Sequence, residues 1–130
     1  MNDSKDMSCS CDTALRKVID YFDQGYRRSR DHKLPFRGKT VKNSSKLAAQ
    51  FNVDVLDDHI RAINYKCTTC VTLIAYCERL AELATGLSLK EARQIAPPDL
   101  IITFPEVPSY KYDRANLAVQ ALLSAVLAVK

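Results

Sequence analysis

The order of the patterned segments predicts an α+β fold, a small antiparallel three-stranded sheet with helices packed on one face. An amphipathic helical pattern comes first, two alternating segments follow, and helical patterns close the chain. At 130 residues, with 47% apolar and 26% charged residues, the chain is long enough for one domain with a core. We expect residues 1–11 to form a flexible N-terminal tail and residues 12–130 a single domain.

The first element is a helix that we expect to begin after Asp12, a favourable N-cap residue. Its apolar residues follow the i, i+3, i+4, i+7 spacing of one helical face. They are Leu15, Val18, Ile19 and Phe22. Gly25 is expected to end this helix, because glycine is common just after a helical C-terminus.

Two alternating segments then predict an antiparallel hairpin. Residues 47–53 place apolar side chains at every second position, Asp57 and Asp58 mark a turn, and residues 59–67 alternate again. One side of the second segment is expected to hold His59, Arg61, Ile63, Tyr65 and Cys67. The other side is expected to hold Ile60, Ala62 and Asn64. A third strand is predicted within residues 39–42.

A long helix is predicted to open at Thr69 or Cys70 and to end at Gly86. Its apolar stripe consists of Val71, Ile74, Cys77, Ala81 and Ala84. We therefore expect Cys77 to belong to the core, since it lies on that stripe.

Ser88 and Glu91 form a capping box for a short helix that we expect Pro97–Pro98 to end. Extended segments are then predicted up to Asp113, a second candidate N-cap. Residues 115–129 carry no charge, so they predict a largely buried C-terminal helix, or one that covers a partner.

The net charge of +4 is unevenly distributed. Residues 27–46 hold eight Lys and Arg against Asp31 alone, a local charge of +7 that leaves −3 for the rest. Such a basic segment is a candidate surface for an acidic protein partner, although a solvated loop explains it equally simply. It lacks the interleaved aromatic residues of single-strand binders, which disfavours nucleic acid.

The composition also limits the cellular compartments and the kinds of chemistry that are possible for this chain. The chain has no apolar run long enough to span a bilayer and no signal-peptide pattern, so we expect a cytoplasmic protein that does not bind membranes. Its five cysteines are an odd number, which favours free thiols or metal ligands over a disulfide framework. No phosphate-binding loop or catalytic triad is recognisable, so we predict that it is not an enzyme.

Cys67 and Cys70 form a C-x-x-C motif where the second strand gives way to the long helix. A thiol at a helix N-terminus faces unpaired N–H groups and the positive end of the helix dipole, which favours a thiolate that carries sulfur or binds a metal. Both sulfurs could reach one Zn²⁺, whereas dithiol redox chemistry is disfavoured because no βαβ pattern surrounds the motif. Alternatively, each cysteine is a small packed residue.

Other candidate ligands are less well placed. Cys9 and Cys11 could complete a four-thiolate site from the tail, or could be incidental thiols. Asp113 could bind a metal as well as cap a helix. His32 and His59 are neither spaced nor placed as ligands.

Several segments lie in register with one family. Residues 17–22 (KVIDYF) look like its opening helix, residues 86–92 (GLSLKEA) like its GKSLDEA segment, and residues 107–111 (VPSYK) like its LPPVK segment. Counted back from Gly86, Cys70 falls on the central cysteine of the family, at the start of the long helix. The chain therefore resembles the IscU/NifU-type iron–sulfur cluster assembly scaffolds over nearly its full length.

The resemblance implies a non-enzymatic scaffold. A cysteine desulfurase would pass sulfur to Cys70, iron would join there, and a cluster would move on to an acceptor apoprotein, with a chaperone docking at Val107–Lys111. The family holds a [2Fe–2S] cluster or Zn²⁺ with three cysteines, an aspartate and a histidine.

Only part of that ligand set is present in this sequence. The first cysteine and the aspartate fall on Asn43 and Ser45, and the histidine–cysteine pair falls on Asp113 and Arg114. The expected metal ligands are Cys70, Cys67 and Asp113, with Cys9 and Cys11 as additional candidates. Two alternatives stay open: a scaffold-like interaction or regulatory protein that has lost cluster binding, and a zinc-binding protein.

Overall fold

The computed structural model describes residues 17–28 and 33–129. The elements in these ranges are α1 (Val18–Tyr26), β1 (Phe36–Arg37), β2 (Val41–Lys42), β3 (Ala48–Leu56), β4 (His59–Cys67), α2 (Val71–Ala84), α3 (Leu89–Ala92), α4 (Pro97–Ile101), a 3₁₀ turn (Ser109–Lys111) and α5 (Asp113–Leu127). The predicted α+β class is confirmed. The expectations for Cys9, Cys11, Asp12, Leu15 and His32 lie outside the described residues.

The sheet is antiparallel, and β3 is its central strand. β4 pairs with β3 along one side, while both β1 and β2 pair with β3 along the other. The predicted hairpin is confirmed, with Asp57 and Asp58 at positive φ in its turn. The sheet has four strands rather than three, because the predicted third strand is preceded by β1 along the same edge.

Gly38 lies between these two short strands, at the closest approach of helix and sheet. Its N–H donates to the carbonyl of Phe51 at 2.9 Å, which keeps the interrupted edge aligned with β3. A Cβ at Gly38 would lie 2.7 Å from the backbone nitrogen of Ala125 in α5 and 3.0 Å from the Phe51 oxygen. Only glycine therefore lets the α5 backbone lie directly against the sheet.

A β-bulge changes the expected alternation in β4. Asp54 pairs with Ala62 and Val55 pairs with Ile60, so Arg61 is the extra residue. Ile60, before the bulge, and Ile63, after it, are both buried, whereas Arg61 is exposed. The prediction that His59 and Arg61 share a side with Ile63, Tyr65 and Cys67 is therefore wrong, because the extra residue shifts the period.

Helix α1 differs from its prediction in three respects. It begins at Val18, with Lys17 rather than Asp12 as its N-cap. Gly25 lies inside the helix rather than after it, and the buried residues are Tyr21 and Gly25, while Ile19 is 56% exposed. The reason for the last two differences is packing on α2 and β4. A Cβ at Gly25 would lie 2.5 Å from Tyr65 Oη and 2.7 Å from Ile74 Cγ2, so glycine is needed for this approach.

Helix α2 begins after Cys70 and ends before Gly86, which has a φ of +93°, as predicted. The predicted stripe is buried except for Val71, which is 44% exposed. Cys77 is fully buried in the core, as predicted. The capping box is also confirmed, with the Glu91 N–H donating to Ser88 Oγ at 3.1 Å.

The segment before α5 is helical rather than extended. Pro97 and Pro98 open α4 instead of ending the previous helix, because proline fits the first helical turn, where no N–H is needed. Asp113 is the first residue of α5, whose N-cap is Tyr112, so the predicted capping role is wrong. The C-terminal helix is largely buried as predicted. Within the described residues, no helix is long and apolar enough to cross a membrane.

A buried carboxylate joins α1, α2 and β4. Glu78 is 1% exposed and accepts hydrogen bonds from Tyr65 Oη at 2.7 Å, Gln24 Nε2 at 2.6 Å and Arg28 Nη2 at 2.7 Å. Burial by itself raises the pKa of Glu78, but the hydrogen bonds and the charge of Arg28 together hold it below its ordinary value. Because its hydrogen bonds hold the C-terminal end of α1 in place, this network positions α1 on the core.

We expect Gly38→Ala to destabilise the protein by about 2 kcal/mol, because the added methyl group overpacks the contact between α5 and the sheet. Urea unfolding followed by circular dichroism measures this. Lys39→Ala, at an exposed neighbouring position, is the matched control and should change stability by less than about 0.5 kcal/mol. Equal stability of Gly38→Ala and wild type would contradict the close contact.

Glu78 should also make the stability of the folded protein depend on pH in the acid range. The pKa of Glu78 in the folded protein is below its ordinary value of 4.5. Its contribution to the free energy of unfolding is therefore complete above pH 4.5 and is lost as the pH falls through the lowered pKa. Glu78→Gln should cost about 3 kcal/mol near neutral pH, since it leaves Arg28 without its charge partner, and should flatten the acid side of the stability profile. Asp23→Asn, in the exposed ion pair with Arg27, is the control and should leave the profile nearly unchanged.

Candidate functional site

Cys70 lies at the N-cap of α2, as expected, with extended backbone angles and a partly exposed side chain. Its carbonyl accepts the first helical hydrogen bond, from the Ile74 N–H at 2.9 Å. Thr68 holds the preceding loop on the sheet, because its N–H donates to the Ala48 carbonyl and its Oγ1 accepts from the Ala48 N–H, each at 2.9 Å. The thiol is therefore presented from an anchored strand-to-helix junction.

A tight turn between β2 and β3 faces the same site. Asn43 Oδ1 accepts from the N–H groups of Ser45 at 3.0 Å and Leu47 at 3.1 Å, and Lys46 has a φ of +65°. The oxygen of the Asn43 amide therefore holds the turn together. The amide nitrogen of Asn43 and the hydroxyl of Ser45 remain available for α5.

Asp113, at the start of α5, receives both of these groups. Its Oδ2 accepts from Asn43 Nδ2 at 3.1 Å and from Ser45 Oγ at 3.3 Å. Its Oδ1 accepts from Arg114 Nη1 at 2.7 Å. Both carboxylate oxygens are thus engaged by neighbouring side chains, and the carboxylate is neutralised by a guanidinium.

Arg114 links this carboxylate to the thiol. Its side chain is 18% exposed. Its pKa is raised, chiefly by the hydrogen bond with Asp113 and to a smaller extent by the proximity of Cys70. Its Nε is buried and has no hydrogen-bond partner among the described residues. The site therefore contains a thiol beside a cation that still has an unfilled donor.

The structure brings together Cys70 and the four family-aligned substituted residues. These are Asn43, Ser45, Asp113 and Arg114. Cys67 lies at the end of β4, opposite Ala49, and packs partly against the core. Within residues 17–28 and 33–129, no three His, Cys, Asp or Glu side chains lie close enough to hold a metal, so Cys70, Cys67 and Asp113 form no three-ligand group.

The residues at this site are not suited to hold an iron–sulfur cluster without ligands from elsewhere. Such clusters are bound mainly by thiolates, and the site contributes one thiol beside a guanidinium that repels cations. Asp113 is already paired with Arg114, so using it as a metal ligand would require breaking that ion pair.

The hydrogen bonds from the turn to Asp113 are features that the sequence did not predict. The Asn-Ser-Ser run at residues 43–45 is a recognisable turn signal, but nothing local says which element it faces. The pairing of Arg114 with both Asp113 and Cys70 depends on where α5 meets α2.

We expect Arg114→Ala to lower the alkylation rate of Cys70 by iodoacetamide about fivefold, because the reacting species is an anion and the neighbouring guanidinium attracts negative charge. Peptide mass spectrometry resolves the rate at Cys70, with Cys67 in the same sample as reference. Arg114→Lys should restore part of the rate, and Arg93→Ala, at an exposed position, should leave it unchanged. An equal or faster rate in Arg114→Ala would contradict this role.

Comparison with known proteins identifies the family. Residues 16–130 match the family described as NifU-like N terminal domain. A nitrogen-fixing NifU-like protein (N-terminal) from Brucella abortus has a similar structure, with a TM-score of 0.66 and 14% identity over 91% of this chain and 95% of that chain. A hypothetical protein is also similar, with a TM-score of 0.63 and 17% identity over 90% and 98% of the two chains.

At these sequence identities, the similarity to the two solved structures shows the fold alone. No curated protein matches the chain. The family match spans nearly all of the domain. The chain therefore belongs to the NifU-like N-terminal domain family, a family of iron–sulfur cluster assembly scaffolds that are not enzymes.

Proposed function

We propose that the chain acts in iron–sulfur cluster assembly by accepting sulfur at Cys70, with a cysteine desulfurase as the donor. The observation that supports this most is the position of Cys70, a partly exposed thiol at the N-terminus of α2 near the Arg114 guanidinium that Asp113 holds in place. A cation and a helix N-terminus both favour a thiolate, which is the nucleophile needed for sulfur transfer.

The transfer is a thiol–persulfide exchange. The Cys70 thiolate attacks the outer sulfur of the donor persulfide, the S–S bond of the donor breaks, and a new S–S bond forms on Cys70. The donor cysteine leaves as a thiolate, and the persulfide proton moves with the outer sulfur. No net oxidation occurs.

Iron binding and transfer of a complete cluster require more thiolates than Cys70. Cys67 is the nearest in sequence, Cys9 and Cys11 are further candidates in this chain, and a partner protein could supply others. The same additional thiolates would be needed for a Zn²⁺ site. A cluster is cargo in this proposal, so sulfur acceptance at Cys70 does not depend on its assembly here.

A second candidate function is an interaction or regulatory protein that binds the assembly machinery without holding a cluster. The ion pair between Asp113 and Arg114 favours it, because it places a fixed cation where a cluster would need a ligand. In this case the fold and partner surfaces are used, and Cys70 is not.

We also propose that residues 107–111 contribute to partner binding, as a docking segment for a chaperone. Tyr110 is 75% exposed and Lys111 lies beside its ring, at 5.8 Å from the centroid. Val107 is 5% exposed, so the accessible part of the segment begins after it.

We expect a cysteine desulfurase supplied with ³⁵S-cysteine to label Cys70 with sulfur that dithiothreitol removes. Cys70→Ser should lose nearly all of the label, whereas Cys67→Ser, the matched thiol control, should keep it. Peptide mass spectrometry with a persulfide-trapping reagent locates the added sulfur. Label that is unchanged in Cys70→Ser would contradict sulfur acceptance at this residue.

The same preparations separate the candidate functions if iron, zinc and acid-labile sulfide are measured after anaerobic purification. Iron and sulfide in equal amounts, lost in Cys70→Ser, would favour a scaffold that completes a cluster. Zinc alone, lost when Cys9 and Cys11 are replaced, would favour the zinc-binding alternative. A desulfurase complex with neither metal nor label would favour the interaction protein.

A further inference from the structure

A groove of about 690 Å³ lies between the short edge strands and the C-terminal half of α5. Its floor is apolar and includes Val41, Leu123 and Leu127. Leu127 is 61% exposed, although it belongs to a helix whose other face is in the core. An exposed leucine at the base of an open groove is unusual for a surface that only contacts water.

The rim of this groove is basic. Arg37, Lys39 and Lys42 line it, and none of these side chains pairs with a carboxylate among the described residues. Three cations that have no carboxylate partner in the described part of the chain, around an apolar floor, favour a ligand that combines negative charge with apolar side chains.

The groove is also preformed. The Lys39 N–H donates to Ser124 Oγ at 2.8 Å, which ties the edge of the sheet to α5. Gly38 holds the same two elements at backbone contact. A ligand therefore does not have to open the groove before it binds, which lowers the cost of association.

We propose that this groove binds an acidic amphipathic segment of a partner protein. The apolar side chains of the segment would lie on Val41, Leu123 and Leu127, and its carboxylates would face the three basic residues of the rim. Charge complementarity selects this occupant. A second copy of the chain would bring another basic rim against the first, and like charges oppose that arrangement.

The position of the groove connects it with the thiol site. Asp113 and Arg114 open α5, and Leu123 follows Asp113 by ten residues in the same helix, which corresponds to about 15 Å along its axis. A partner held in the groove would thus lie on the same helix as Asp113 and Arg114, about 15 Å along its axis from them. Any link between this partner and sulfur transfer rests on the proposed function, whereas binding in the groove does not.

A synthetic peptide tests the proposal. It has leucines at i, i+3, i+4 and i+7 and Asp or Glu at the other positions, and it carries a fluorescent label for anisotropy measurements on the full chain. We expect binding that weakens as salt is added. The double variant Lys39→Glu/Lys42→Glu should bind about tenfold more weakly, and Leu127→Ser should also lose affinity.

Matched controls separate the groove from general surface effects. Lys90→Glu/Arg93→Glu makes the same net charge change at exposed positions in and just after α3, and Ile102→Ser removes an apolar side chain that is 77% exposed, so both should bind as wild type does. Cys70→Ser should also bind normally, which distinguishes this proposal from failure of sulfur transfer. Circular dichroism confirms that each variant is folded.

Three kinds of result would overturn the proposal. One is no peptide binding by the wild-type chain, and another is peptide binding that the groove variants do not weaken. The third is a wild-type dimer in sedimentation that Leu127→Ser abolishes, or binding to anionic phospholipid vesicles that depends on Lys39 and Lys42. These would assign the groove to a second copy or to a lipid surface.

Discussion

The direct packing of α5 on the sheet is the constraint on which the rest of the structure depends. Helix α5 contains several small side chains that are fully buried, and at Ala125 its backbone approaches Gly38, which has no side chain to separate the helix from the sheet. The small residues are Ala115, Ala118, Ala121 and Ala125. Because the helix lies so close, its first residue reaches the turn after β2, and its C-terminal half forms one wall of the groove.

A second constraint is polar. Glu78 is enclosed in the core and is stabilised because each neighbouring element contributes a donor, which avoids the large cost of an unpaired buried charge. The network requires α1 to approach closely, and Gly25 permits this. Core packing alone would leave α1 free to slide along α2, whereas hydrogen bonds of fixed direction give it one position.

The candidate site is formed where three separate elements of the fold meet. The turn, the strand-to-helix junction and the start of α5 converge, and they bring together an amide, a hydroxyl, a carboxylate and a guanidinium around one thiol. Thiolate-rich sites suit metal clusters, whereas a thiol beside a cation suits an anionic sulfur species. The fold of this protein therefore does not by itself determine the reaction at the site.

Local patterns in the sequence were sufficient for the elements that depend on local physics. The hairpin turn at Asp57 and Asp58, the end of α2 at Gly86 and the capping box at Ser88 were predictable because each involves residues within a few positions of one another. The bulge at Arg61 was not, because it depends on the register with β3.

For the site, the sequence alone identified Cys70 at a helix start and the substituted positions around it. It misassigned Asp113 as a cap, since an aspartate at a helix start is usually one, and only the packing of α5 turns that side chain toward Asn43. The family resemblance had already placed Arg114 near Cys70, whereas only the tertiary structure decided that Leu127 is left uncovered. Contacts between distant segments depend on how whole elements pack, and no short stretch of sequence contains that information.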